Sequence, residues 1–181
     1  MLPRWIRSLF RARPHQRAGH TLYVAAVAAA RRPVFYAALG VPDTLDGRFD
    51  CIGAHVFLLI RQLWKAPPPG PVLGQVVFDA MFGDMDRSLR ELGVGDLGVP
   101  RRNRRMWEAL HGRALAYGEA LDADDELALE AAVARNVWRG KAAGDGPARL
   151  ARYLRAADRA LAAQQGELLA GRVTFPQPEE T

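Results

Sequence analysis

The sequence predicts an all-α protein, a single-domain multi-helix bundle with an amphipathic N-terminal helix. Three observations carry that expectation. Apolar residues recur at helical spacing in one stretch after another, as in Leu73, Val77, Met81, Met85, Leu89 and Leu92. No convincing run alternates apolar and polar residues as a half-buried strand does. Proline and glycine fall between the periodic stretches, in "APPPGP" and at Gly40, where they end helices. With 181 residues, one domain can bury roughly 70% of its unfolded surface, enough for a self-supporting core.

The elements follow in order. Leu2, Trp5, Ile6 and Leu9 recur at helical spacing beside Phe10, with Arg4, Arg7 and Arg11 elsewhere on the wheel. Such a helix fits an anionic membrane interface, through Trp5, Ile6, Leu9 and Phe10, or a dock on the domain's own core. Pro14 is expected to end it. Leu22 to Ala30 reads as a small-residue helix stopped by Pro33, and "PVFYAALG" as a short one ending at Gly40. "VPDTLDG" is turn chemistry. Arg48 to Lys65 forms a strongly apolar helix through Phe49, Ile52, Val56, Leu59, Ile60 and Leu63, central to the core. The Leu73–Leu92 helix comes next. Pro100 opens another, with Met106, Leu110, Ala114, Tyr117 and Leu121 on its buried face. Two more helices cover Asp125 to Arg139 and Pro147 to Ala163, and "VTFPQPEET" is expected to be loose. The organisation is thus a basic amphipathic segment (1–20), a helical domain (21–165) and a C-terminal tail (166–181).

Several motifs of chemical interest do not survive their context. Gly93, Gly95 and Gly98 have the G-x-G-x-x-G spacing of a dinucleotide loop, but they join helix to helix, with no entering strand to place a pyrophosphate on helix amides. Gly93 instead reads as a left-handed helix end, and Asp96 as a bond to its own loop. Glu108 and His111 lack the second copy that a di-iron bundle requires. "DMDRSLRELG" starts like a calcium loop, yet Leu89 stands where the sharp turn needs glycine. The lone Cys51 sits in an apolar run without a positioned base and reads as a packed thiol. No catalytic, cofactor or metal residues are assigned, an enzyme is not expected, and neither is a small-molecule substrate.

Charge and hydropathy bound the partners. A net charge of +5 favours an acidic surface such as anionic lipid, nucleic acid or protein. The basic start followed by "TLYVAAVAAARRP" looks like a secretory signal, but its basic part is long, its apolar part is mostly alanine, and Arg31, Arg32 and Pro33 follow at once. No run reaches the roughly 18 apolar residues of a membrane span.

Four strings in order, "LYVAAVAAARRPVFYAALGVPDTLDGRFD", "FDAMFGDMDRSLRELGVGDLGVPRR", "GRALAYGEAL" and "AVARNVW", resemble the ubiquinol-cytochrome c chaperone family. These are bacterial relatives of mitochondrial assembly factors for the cytochrome bc1 complex. The resemblance runs from Thr21 to Leu161. It implies an all-helical chaperone that binds newly made cytochrome b and supports its incorporation into the bc1 complex, with no cofactor. Mitochondrial members also act near the ribosome with a small partner protein. No long presequence-bearing extension precedes the matching region, which favours a bacterial protein working in the cytoplasm, peripheral to the inner membrane.

The matching residues singled out for partner binding lie in two loops with their adjoining helices. Pro42, Asp43, Thr44, Asp46, Gly47, Arg48 and Phe49 form one. Asp86, Arg90, Glu91, Gly93, Gly95, Asp96 and Pro100 form the other. Asp43 and Asp46 serve equally well as turn caps, and Asp86 with Arg90 as an i,i+4 pair. A third set comes from "PRRNRRMWEALHG": its arginines oppose the helix dipole, so stability alone would not select them. With Met106 buried, Arg101, Arg104 and Arg105 point outward and Arg102 lies nearer the flank. That face either meets an acidic partner or is simply solvated. The alternative function is a basic helical RNA- or ribosome-binding module, although Phe49, Phe57, Phe78, Trp107 and Tyr117 fall largely on apolar faces rather than in a stacking set.

Overall fold

The computed structural model describes residues 4–91, 93, 98–141 and 144–178, with side chains from residue 14 onward except Asn103. Among the described residues the chain is all α, as expected. The elements are α1 (Arg4–Ala30), α2 (Pro33–Ala37), α3 (Leu45–Lys65), α4 (Gly70–Glu91), α5 (Val99–Asp122), α6 (Glu126–Val137), α7 (Gly146–Ala163) and α8 (Gln165–Leu169).

Helix α3 is the axis of the bundle. It is the most apolar of the long amphipathic helices by sequence, and it packs against α1, α4, α5, α6, α7 and α8. Val56, Leu58, Leu59 and Leu63 are fully buried, whereas Phe49, Ile52 and Ile60 are only half-buried at its edges. The helix starts at Leu45, three residues before the expected Arg48. Thr44 explains the difference: its side chain accepts a hydrogen bond from the Gly47 amide at 3.1 Å and caps a turn that composition alone reads as loop.

Helix α4 buries the predicted stripe of Leu73, Val77, Met81, Met85 and Leu89, while Leu92 lies outside the described residues. It crosses α1 closely at Gly19, where an added Cβ would overlap the Val76 side chain. Helix α5 buries Leu110, Tyr117 and Ala120, with Met106 and Ala114 half-buried.

Two expectations are corrected. Pro14 does not end the first helix, because α1 continues through it to Ala30. A proline removes a single amide from the ladder, and the long run on either side keeps the remaining bonds. Nor is the C-terminal segment loose through Pro178. Phe175 is 4% exposed and packs 5.1 Å from the His55 ring, Arg32 donates to the Pro176 carbonyl at 2.5 Å and the Phe175 carbonyl at 3.2 Å, and Gln164 exchanges two bonds with Thr174. An aromatic residue and carbonyls with fixed donors outweigh the fraying expected of a polar, proline-containing end.

His55 shows what the tail covers. It is wholly buried, with Phe35 edge-on at 5.2 Å. Its Nδ1 lies 2.8 Å from the Cys51 carbonyl and its Nε2 2.9 Å from the Tyr153 hydroxyl. A carbonyl only accepts, so Nδ1–H donates there and Nε2 accepts from Tyr153. Burial lowers the His55 pKa to about 4, so the ring is neutral.

Candidate functional site

Where α3 begins, α4 passes its middle and α5 opens, the three helices leave a surface groove of about 910 Å³. Met81, Met85 and Leu89 of α4, with Met106 and Ala109 of α5 and Ile52 of α3, form its apolar floor. Thioether side chains are flexible and polarisable, and surfaces built from them re-pack around different partners. The rim is cationic. Arg101, Arg102 and Arg105 stand on the α5 wall, Arg31, Arg48 and Arg139 also line the groove, and Arg113, 13% exposed, lies deeper in. Asp46, Asp50 and Asp84 are the only carboxylates among the lining residues.

The first predicted loop is built to hold its shape. Asp43 pairs with Arg48 at 2.5 Å, both exposed, and the arginine holds that carboxyl below its ordinary range. A Cβ on Gly47 would overlap the Pro42 carbonyl oxygen, so this turn admits no larger residue. Trp138 donates to the Gly40 carbonyl at 2.8 Å and Arg149 to the Ala38 carbonyl at 2.9 Å, fastening the approach to the loop onto α6 and α7. Asp43, Thr44 and Gly47 therefore shape the turn, while Asp46, Arg48 and Phe49 line the groove.

The second predicted set divides differently. Asp86 and Arg90 pair at 2.8 Å on the outer face of α4, Glu91 is exposed, and none of the three lines the groove. Gly93 has φ +78°, the left-handed conformation expected of a helix end. Gly95 and Asp96 lie outside the described residues, as do the side chains of Trp5, Ile6, Leu9 and Phe10. Pro100 is in the first turn of α5.

The arginine face of α5 is not uniform. Arg101 and Arg105 reach the groove, and so does Arg102, which the helical wheel places only at a flank. Arg104 turns away and pairs with Glu108 at 2.9 Å. Trp107 is 44% exposed and stacks on His111 at 5.3 Å, so it does not belong to the apolar face where periodicity places it.

Asp50, Arg113 and Arg139 escape a reading of loops and charge runs. Asp50 lies inside the apolar helix, its side chain 1% exposed, with Arg113 at 2.7 Å and Arg139 at 3.1 Å. Burial raises its pKa to about 6 against the opposing pull of both arginines. Arg113 also lies over the Phe49 ring at 5.7 Å. The usable signal was a carboxylate on the buried face of an apolar helix, which requires a cationic partner. Sequence does not say which of 25 basic residues supplies it.

Among the described residues no helix is long and apolar enough to cross a membrane, and no group of three histidine, cysteine or acidic side chains could hold a metal ion. Cys51 is buried, and its thiol is pushed up to about 12 by burial, so it is unsuited to nucleophilic chemistry.

Comparison with known proteins places this geometry. The crystal structure of the Cbp3 homolog from Brucella abortus superposes with a TM-score of 0.85 at 35% identity, covering 97% of this chain and 98% of that one. Ubiquinol-cytochrome-c reductase complex assembly factor 1 of Xenopus laevis is 24% identical over 103 residues, 57% of this chain. The chain spans about half the length of that relative, 51%. The family model described as ubiquinol-cytochrome C chaperone matches residues 37–175, which include nearly all of the groove, and the chain belongs to the ubiquinol-cytochrome c chaperone family.

Proposed function

We propose that this chain is an assembly chaperone of the ubiquinol-cytochrome c reductase (bc1) complex that holds newly made cytochrome b, and that the groove between α3, α4 and α5 is the surface that meets this client. The supporting observation is the groove itself: a methionine floor under an arginine rim, within the region matched by the family. A floor of adaptable side chains suits a transient client whose apolar surface must be shielded and then released. The work is binding, with no bond made or broken. In this reading the protein acts at the cytoplasmic side of the inner membrane, and Trp5, Ile6, Leu9 and Phe10 give it a peripheral hold on anionic lipid.

Deleting the gene is expected to lower bc1 abundance and the b-type haem absorbance of that complex while total translation stays normal. Re-expression of the parent chain should restore both. Unchanged bc1 assembly in a deletion strain growing by bc1-dependent respiration would contradict the proposal.

A second reading, an RNA- or ribosome-binding module, draws on Trp107, exposed and stacked on His111 beside the α5 arginines. It predicts RNA affinity that falls steeply with salt.

A further inference from the structure

The groove also carries information about the shape and charge of what it holds. Its two surfaces differ in kind: the floor is methionine and leucine, whereas arginines crowd the α5 wall. The first turn of α5 contains no acidic residue, so no carboxylate there offsets the positive field of Arg101, Arg102 and Arg105. Deeper in, Arg113 is already engaged, its Nη1 lying 2.7 Å from an Asp50 oxygen with 13% of its side chain exposed, so the arginines free to meet an occupant are those of the α5 wall.

We infer that the groove's occupant is an amphipathic helical segment with carboxylates along one edge, its apolar face on Ile52, Met85 and Met106 and its acids against Arg101, Arg102 and Arg105. This rests on the groove being the client-binding surface. A helix offers what the groove asks for, one apolar stripe flanked by one charged edge. A lipid surface is flat and would meet the exposed rim arginines but not the half-buried Ile52 and Met106 between the helices. A single-stranded nucleic acid needs open aromatic faces, and Phe49, half-buried under Arg113, is not one.

The test uses the full chain and three labelled synthetic helical peptides that share a leucine face and differ in an edge of glutamate, glutamine or lysine. The glutamate peptide is expected to bind about tenfold more tightly than the glutamine peptide at low salt, and the lysine peptide most weakly. Replacing Arg101 and Arg105 by glutamine, both exposed, should erase most of that preference with the melting temperature unchanged. Equal affinity for all three peptides overturns the inference. So does displacement of the glutamate peptide by phosphatidylglycerol vesicles or an RNA oligomer as readily as by unlabelled glutamate peptide. A parent chain that prefers the glutamate peptide yet captures no cytochrome b in cells contradicts the proposed function alone. One that captures cytochrome b with no peptide preference contradicts this inference alone.

Discussion

Asp50 of α3 and Arg113 of α5 form an ion pair at 2.7 Å beneath the groove, with 1% and 13% of their side chains exposed. The pair joins the bundle's axis to the helix that carries the arginine wall, so it ties the two sides of the groove together. Removing one partner of a buried pair leaves an uncompensated charge, at a cost of about 3–5 kcal/mol. Arg113→Ala is therefore expected to destabilise by about that amount at pH 8, less where Arg139 compensates. The loss should shrink as pH falls and Asp50 takes a proton. Asp50→Asn with Arg113→Gln should lose less than Arg113→Ala alone. Urea unfolding at two pH values measures both effects.

His55 and Asp50 tilt stability in opposite directions. His55 has a folded pKa of about 4 against 6.5 unfolded, so between those values the unfolded chain binds the extra proton. Its contribution is complete above pH 6.5 and is lost as pH falls toward 4. Asp50 has a folded pKa of about 6 against 3.8, so the native state holds the extra proton in that window. Its contribution is complete below pH 3.8 and is lost as pH rises through 6. The two slopes oppose each other between about pH 4 and pH 6. The parent chain should show a nearly level profile there. Asp50→Asn should expose the histidine slope, a loss of up to about 3 kcal/mol on acidification. A level profile in Asp50→Asn as well would count against a neutral, buried His55.

The C-terminal segment is predicted to be structural. Phe175→Ala removes a ring packed on His55 and should destabilise by about 3 kcal/mol. It should also admit water to the imidazole, so the His55 pKa, followed by NMR titration, should move up toward 6.5. A variant with parent stability and an unmoved pKa would show that the segment's packing is dispensable.

Two glycines give a matched pair. Gly47→Ala would drive a methyl group into the Pro42 carbonyl and should cost more than about 1 kcal/mol, with the groove's α3 edge displaced. Gly112→Ala, exposed on α5 where an added Cβ meets nothing within 4 Å, should stabilise by about 0.5–1 kcal/mol. Thermal unfolding of the two variants reports the contrast.

Much of this fold is legible in the sequence because its helices are long and strongly periodic. The Leu73–Leu89 stripe is buried where the 3.6-residue period places it, and Gly40 and Gly93 take the left-handed conformation that ends helices. The errors at Thr44 and Pro14 are local, a side-chain cap and a helix that runs through its proline, whereas the error at the C-terminal segment is tertiary. Phe175 is held by His55 and Arg32, which stand far away in sequence. Of the candidate site, Arg48, Phe49, Arg101 and Arg105 converge on one groove, although nothing in their spacing says that they share it. Asp50, Arg113 and Arg139 were hidden because ion pairing between helices has no periodic signature. Met81 and Met85 read only as core, yet they face both the core and the groove floor.

The central claim is that cytochrome b is held in the groove, and site-specific photo-crosslinking in cells tests it most directly. A photoreactive residue at Ser88 or Ala109, both in the groove lining, is expected to capture newly made cytochrome b. The same residue at Leu127, 79% exposed on α6 and outside the groove, should not. Replacing Arg101 and Arg105 by glutamine should weaken the groove adducts without altering the melting temperature. Cytochrome b adducts from Leu127 and none from Ser88 or Ala109 would contradict the account.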